Sequence, residues 1–526
     1  MPAGRRENQE DTEMSVSYAE RYRGELPSFK EMTEKFYKKE VSVKDYKGFS
    51  GFFGSYAQRG GEASMLRLRM NAGQITKEKL KFIAESIEKH QVDKIHFTTC
   101  QTVQLHNLNA ASVCEIMEAA VDVGIITMGG GGDFPRNVMC SPLTGAQKGE
   151  YFDVMPCAQA AADYLMGLVG TVKLPRKLKV GFSNCPENVP HATFRDLGFA
   201  AAADGTFTVY SAGGLGNNPR MGLKVAEHVA PEKILYYIQA MVETFVTYGN
   251  YENRGKARTR YMQETLGEEG YVKAYNEKLE EVLKKGGLDI RIPAAELTKK
   301  GDGSTASGPR IMEEKYDGLY TVSYHPIGGV PGVTKIREIY ETIKDMEDVE
   351  LRLSPDEGVY IVHLTGDEAK KVLAATEDSA KTLFQTSVAC IGASICQVGV
   401  RDSQALLKKL VETEQENGFA DGVLPKIPIS GCPSSCGTHQ IGDIGFHGGV
   451  KVVEGQAKPA FTLHVNGCDE QGSERFGENW GVMLEEDIPA FIADLGRAVS
   501  GAGSTYAQWA GAHMDEMKAI AERYIK

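Results

Sequence analysis

Ser183-Asn-Cys185-Pro186, running on to Asp196-Leu-Gly-Phe199, is matched later in the chain by Ser430-Gly-Cys432-Pro433, running on to Asp443-Ile-Gly-Phe446. Cysteine precedes phenylalanine by fourteen positions in both copies, without a gap. Each copy also follows shortly after a Leu-Pro pair, Leu174-Pro175 and Leu424-Pro425. A match at so many positions marks an internal repeat of about 250 residues, and therefore a pseudo-twofold protein made of two related halves.

The copies differ where chemistry would sit. The second copy has Cys436 where the first has Val189, so only the C-terminal half adds a second thiol to the repeated one. Just upstream of that copy, Cys390 and Cys396 stand five residues apart in Ser-Val-Ala-Cys-Ile-Gly-Ala-Ser-Ile-Cys. Cys390, Cys396, Cys432 and Cys436 form two pairs flanked by Gly, Pro and Ser, which let the backbone wrap closely. Such pairs can converge on one metal centre, and four thiolates suit a [4Fe–4S] cluster or zinc. Structural zinc usually takes at least one C-x2-C knuckle, so the wider spacing here favours the cluster.

In the first half the contrast is cationic. Lys177 and Lys179 lie two apart on an expected strand and share a face, an unfavourable pairing unless an anion sits over it. Neither way of aligning the copies repeats that lysine pair. Arg67 in Met-Leu-Arg-Leu-Arg, Arg136 in Asp-Phe-Pro-Arg-Asn, and Arg254, Arg258 and Arg260 in Asn-Arg-Gly-Lys-Ala-Arg-Thr-Arg-Tyr add to the basic set. If extended, Arg258 and Arg260 would share a face. Taken singly, each of these arginines also reads as an ordinary surface group.

Length and composition set the frame. A chain of 526 residues divides into two or three domains. A net charge of −12 argues against a nucleic-acid partner. No stretch approaches a transmembrane segment, the N-terminus lacks a signal pattern, and ten cysteines in so long a chain form no disulfide framework, so a cytoplasmic protein is expected. Neither G-x-G-x-x-G nor G-x-x-x-x-G-K-[ST] occurs, so electrons for any reduction would come from outside the chain.

Periodicity gives the organisation. Residues 1–55 read as a polar arm with a short helical stretch near 28–39, ending in a Gly and aromatic segment that packs as a loop. Strand 64–70, helix 75–90 capped by Thr76, strand 94–108 and helix 110–123 make a small α+β unit over 56–128, followed by a Gly turn at 129–132. A second unit over 129–298 holds helices 147–169 and 231–248 and strands 177–183 and 205–211. Residues 299–310, rich in Gly and Ser, read as a linker. Strands 319–324, 349–353 and 358–364 with helices 333–346 and 368–377 repeat the α+β unit over 311–380, and 381–526 carries the cysteine motif.

Cys390-x5-Cys396 with Cys432-x3-Cys436 resembles the signature of the sirohaem and [4Fe–4S] nitrite and sulfite reductases, in their ferredoxin-dependent single-chain form. The resemblance runs from about Ser64 to near the C-terminus. It implies an α+β fold duplicated about a pseudo-twofold, with two ferredoxin-like half-domains (56–128, 311–380) and two catalytic α/β sandwich-type half-domains. It implies that Cys436 is shared between cluster and sirohaem iron, and that Arg67, Arg136, Lys177 and Lys179 surround the substrate. Gln104 and His106 fall on the family's Gln-x-x-Gln-x-His strand beside the sirohaem, and Arg254, Arg258 and Arg260 on basic positions that meet its carboxylates. One position departs: the family usually has Arg immediately before Gln-x-x-Gln, and this chain has Cys100. Cys100, Cys114, Cys140, Cys157, Cys185 and Cys468 otherwise read as small buried apolar residues without a redox role.

The implied reaction is a six-electron reduction of a small oxyanion with ferredoxin or a similar donor. Nitrite-preferring members carry Lys-x-Asn where this chain has Lys177-x-Lys179, so sulfite to sulfide is the expected activity and nitrite to ammonia the alternative. A zinc-bound or cluster-bearing structural subunit, a sirohaem protein that binds its anion without reducing it, and a corrinoid-biosynthetic relative are readings from other classes.

Overall fold

The computed structural model describes residues 7–293 and 297–526, with side chains from Tyr18 onward. Residues 1–6 of the expected arm and 294–296 ahead of the expected linker lie outside the described residues.

Among the described residues, four sheets are arranged in two matching pairs. In the first, Ser55–Ala57, Ser64–Arg69, Thr102–Leu108 and Ile95–Phe97 lie in that spatial order, all antiparallel. In the second half Ile311–Glu313, Tyr320–Tyr324, Val359–Leu364 and Glu350–Leu353 repeat the order, again antiparallel. The short strand Gln74–Ile75 of the first half crosses over to pair with Leu351 and Arg352, extending the second sheet by one strand. One hydrophobic core runs through both units, from Leu66 and Leu105 to Ile361 and Leu364.

The other two sheets are mixed and likewise correspond. Val180–Ser183 runs parallel to Leu197–Ala201, which is followed by antiparallel Phe207–Ser211 and Leu223–Val229. In the second half Ile429–Ser430, Ile444–Val453, Gln456–Val465 and Glu478–Leu484 repeat the same sequence of pairings. The repeated Gly before Phe has a steric cause: a Cβ on Gly198 would run into the Ala192 carbonyl, and one on Gly445 into the His439 carbonyl. Each of these sheets has its own core against its helices.

Several expectations are corrected in detail. The N-terminal segment is not a short helix but the long helix Glu7–Tyr37, followed by Val43–Ser50 where a loop was expected. Tyr18, Tyr22, Phe29 and Phe36 recur at helical spacing and are buried, and the first three join the first core. The expected helix 147–169 begins only at Met155. Expected strand 94–108 is two strands joined by a turn at Thr98–Gln101. Helix Lys77–Lys89 is as expected, with Thr76 Oγ1 accepting from the Lys79 amide. Segment 299–310 is packed, not loose. Gly301 lies against Gly318, Ser304 against Gly366, and Lys299 bonds Glu368 at 2.6 Å. Among the described residues no helix is long and apolar enough to cross a membrane.

Candidate active site

Lys177 and Lys179 are not in a sheet strand, which begins at Val180, but the extended segment ahead of it keeps the alternation. Leu178 bridges in parallel to Pro135 and is buried, so its two neighbours turn to the opposite side. There they line a cavity of about 350 Å³ together with Arg67, Arg136, Gln104 and all four cysteines of the motif. Residues separated by more than three hundred positions thus meet at one wall, as the cation and thiol patterns required.

The first ferredoxin-like sheet supplies one side. Its register sets Arg67, Gln104 and His96 in a row across three strands. With the Gln104 amide turned so that its oxygen faces the guanidinium, that oxygen accepts from Arg67 at 2.6 and 3.2 Å and the NH2 reaches His106 Nε2 at 3.3 Å. Arg67 Nη1 and Arg136 Nη1 both donate to the Gly130 carbonyl, and Arg136 Nη2 donates to that of Gly132 at 2.7 Å. The glycine turn is therefore a clasp that aims two guanidinium groups. Side chains on Gly130 or Gly131 would collide with Thr127, Gly54, Gly51 or Tyr56.

The cysteine loops supply the other side. Arg59 donates to the carbonyls of Cys396 (3.2 Å) and Gly399 (2.6 Å), and Gln397 Nε2 to that of Ala57 (2.7 Å). The Gly431 amide donates to Cys390 Sγ at 3.2 Å, and Thr99 Oγ1 to the Cys436 carbonyl at 2.8 Å. Both halves hold the loops. Cys436 is exposed and lines the cavity; desolvation raises its thiol while Lys177 and Lys179 pull it down.

Electrostatics identify what the cavity lacks. Burial, then Lys179, Arg258 and Arg136, push the Lys177 ammonium well below its usual range. Lys179 is raised by the Cys100 sulfur but lowered on balance by burial, Arg195 and Arg258. Burial likewise lowers Arg136, to about 10, which still leaves it charged at neutral pH. Of the residues lining this cavity Glu357 is the one carboxylate, and burial raises its pKa. Arg136 Nε and Arg258 Nε are buried without a hydrogen-bond partner. A cavity ringed by cations, with unused donors and four thiols, fits an anionic cofactor beside a thiolate-bound cluster.

The remaining expected residues are distributed around it. His106 and Arg254 line an adjoining cavity of about 460 Å³ that shares Arg67, Gln104, Arg136 and Lys177. Arg254 is exposed and paired with Asp133. Arg258 lines a smaller recess with Lys177, Lys179 and Cys436, its Nη2 on Asp196 at 2.9 Å. Arg260 turns away, its Nε and Nη2 donating to the Asn217 carbonyl and its Nη1 beside Gly214. Residues 258–260 form a bend, so the two arginines diverge where an extended run would have put them on one face.

Sequence reasoning passed over Arg69, Arg176 and Arg195, which also line these cavities. Arg69 was legible as the next outward position of Leu-Arg-Leu-Arg, and Arg195 as the residue before the repeated Asp-Leu-Gly-Phe. Cys100 is corrected: it is a wall of the cavity, not a core filler. Burial alone would raise its thiol, but Lys179 and Arg195 bring it down to about 6.

With this geometry, comparison with known proteins points to one family. Residues 131–283 match the nitrite and sulphite reductase 4Fe-4S domain, and residues 56–123 the nitrite/sulfite reductase ferredoxin-like half domain. The assimilatory ferredoxin-dependent nitrite reductase of Haloferax mediterranei is 26% identical, covering 94% of this chain and 89% of its own length. Sulfite reductase [ferredoxin] 1 of Mycolicibacterium paratuberculosis is 23% identical, covering 85% and 81%. The Mycobacterium tuberculosis NirA structure shares the fold, with a TM-score of 0.76 at 24% identity over 93% of this chain and 94% of that one. These similarities support the nitrite and sulfite reductase family for this chain, an oxidoreductase of that type with a sirohaem and a [4Fe–4S] cluster.

Proposed function

We propose that the chain reduces sulfite to sulfide with electrons from ferredoxin or a similar small protein. The observation that carries this reading is the pair Lys177 and Lys179 on the cavity wall with Arg67, Arg136 and Cys436. Sulfite carries between one and two negative charges near neutral pH and nitrite one, so a fourth cation favours sulfite. Nitrite to ammonia is the alternative, favoured by the relatives named as nitrite reductases.

In this reading Cys390, Cys396, Cys432 and Cys436 hold the cluster, and Gln104, His106, Arg254 and Arg258 meet the sirohaem from the ferredoxin-like strand and the first catalytic half, while Arg260, turned onto the Asn217 carbonyl, does not. Bound here, with Cys436 among the thiols that would hold them, the sirohaem and cluster would supply single electrons and a site for the oxyanion. Arg67 and Arg136, held by the glycine clasp, neutralise the anion without reorganising. Lys177, whose ammonium is made more acidic by burial and by Lys179, delivers protons to departing oxygens, since arginine hardly titrates. Donor binding by charge complementarity weakens as salt rises.

Anaerobic turnover with reduced viologen, comparing kcat/KM for sulfite and nitrite while sulfide and ammonia are quantified, tests the substrate. A sulfite preference with stoichiometric sulfide supports the reading, and Lys179→Asn then moves the preference toward nitrite by about tenfold. A nitrite preference overturns the substrate and leaves the fold and cofactors intact.

A further inference from the structure

Away from the cavity, His439, His447 and His464 bring one ring nitrogen each to within 4.8 Å of one another. They come from three segments. His447 lies opposite Thr462 on the antiparallel ladder, which makes His464 its diagonal neighbour on the same face. His439 opens the turn whose carbonyl lies under Gly445. Ring centroids are 4.8 to 5.1 Å apart, and His447 Nδ1 lies 2.9 Å from His464 Nε2.

The rings are set as ligands. His439 Nδ1 is 3.0 Å from Ser430 Oγ, a contact that fixes the ring and leaves Nε2 as its free ligand atom. His464 turns Nε2, not Nδ1, toward His447. Two nitrogens of a tetrahedral zinc site lie about 3.4 Å apart, which the observed 2.9 and 4.8 Å bracket. His439 and His464 are buried and His447 half-buried, leaving one approach for a water. Burial lowers all three imidazoles, and neighbouring rings add to this for His439 and for His447, which falls to about 4. The fold does not require them: in the first half the matching positions are Ala192, Ala200 and Tyr210.

We propose that His439, His447 and His464 bind a divalent transition metal of the zinc class, with water as fourth ligand. His439 follows Cys436 by three residues and rests on Ser430, two before Cys432, so the metal ties the second cysteine loop to its sheet.

The test adds Zn2+ to purified holoenzyme with its iron in place, desalts it, and reads zinc and iron content with zinc X-ray absorption. Expected are one retained zinc per chain, a nitrogen and oxygen shell at about 2.0–2.1 Å, and a zinc-dependent rise in Tm. His447→Ala, at the half-exposed position, keeps the iron and weakens zinc binding by at least about 100-fold. His464→Gln gives the same loss from the buried side, and if it fails to fold His447→Ala alone decides. No retained zinc, a sulfur-containing shell, or unchanged retention in His447→Ala overturns the proposal.

Discussion

The recess that holds Lys179, Asp196, Ser434, Cys436 and Thr438 has a counterpart across the pseudo-twofold. There Lys426, Asp443, Glu187, Val189 and His191 occupy the matching positions around a cavity of about 380 Å³. The two share backbone, sheet order and even the Gly under the carbonyl, yet their fields are opposite. Lys179 faces thiols and other cations, whereas Lys426 is neutralised by Asp356 at 2.8 Å, and Asp443, Asp469 and Glu187 make the second cavity acidic. The first field suits an anionic group and the second opposes one. Function in a duplicated fold rests on a handful of side chains whose charge can invert while packing stays constant.

The largest effect should come from the sulfur contrast. Cys436→Ser is expected to lose cluster absorbance and turnover together, while Cys185→Ser, altering the thiol matched to Cys432, keeps both; equal losses would mean the halves are not chemically distinct. Next are the lysines. Lys179→Met should lower kcat/KM for the anion about 10²-fold, whereas Lys426→Met leaves turnover within about twofold and costs about 1 kcal/mol of stability in urea unfolding, since its half-exposed ion pair is screened.

Smallest is the pH effect of that same pair. Although burial opposes it, Lys426 with His325 holds the Asp356 carboxyl well below the usual carboxylate range. A depressed folded-state value contributes stability that is present above the ordinary carboxylate pKa of about 4 and lost as pH falls through the lower folded value. The urea midpoint of Asp356→Asn should therefore lie below that of the unaltered chain at neutral pH, and the gap should close below about pH 4. A gap that stays constant with pH would remove Asp356 from the account.

Much of this was legible because its signals are local. The fourteen-residue repeat gave the duplication, two-residue alternation put Lys177 and Lys179 on one side, and the cysteine spacing singled out four thiols that the fold brings to one cavity. What was missed depends on packing between distant segments. The 299–310 run looks like a linker by composition, but Gly301 is there for its close approach to Gly318. Arg258 and Arg260 diverge because Asp196 holds one and the 217–218 carbonyls the other. The histidine triad has no spacing signature at all, since its members meet only through strand register.

The crossing strand Gln74–Ile75 has a thermodynamic consequence. It completes a sheet of the opposite half, and the core beneath it is common to both ferredoxin-like units. As two polypeptides the halves would form an obligate heterodimer, folding only at concentrations that sustain association. Joining them in one chain replaces that bimolecular step with an intramolecular one at an effective concentration in the millimolar range, so folding no longer depends on how much protein is present.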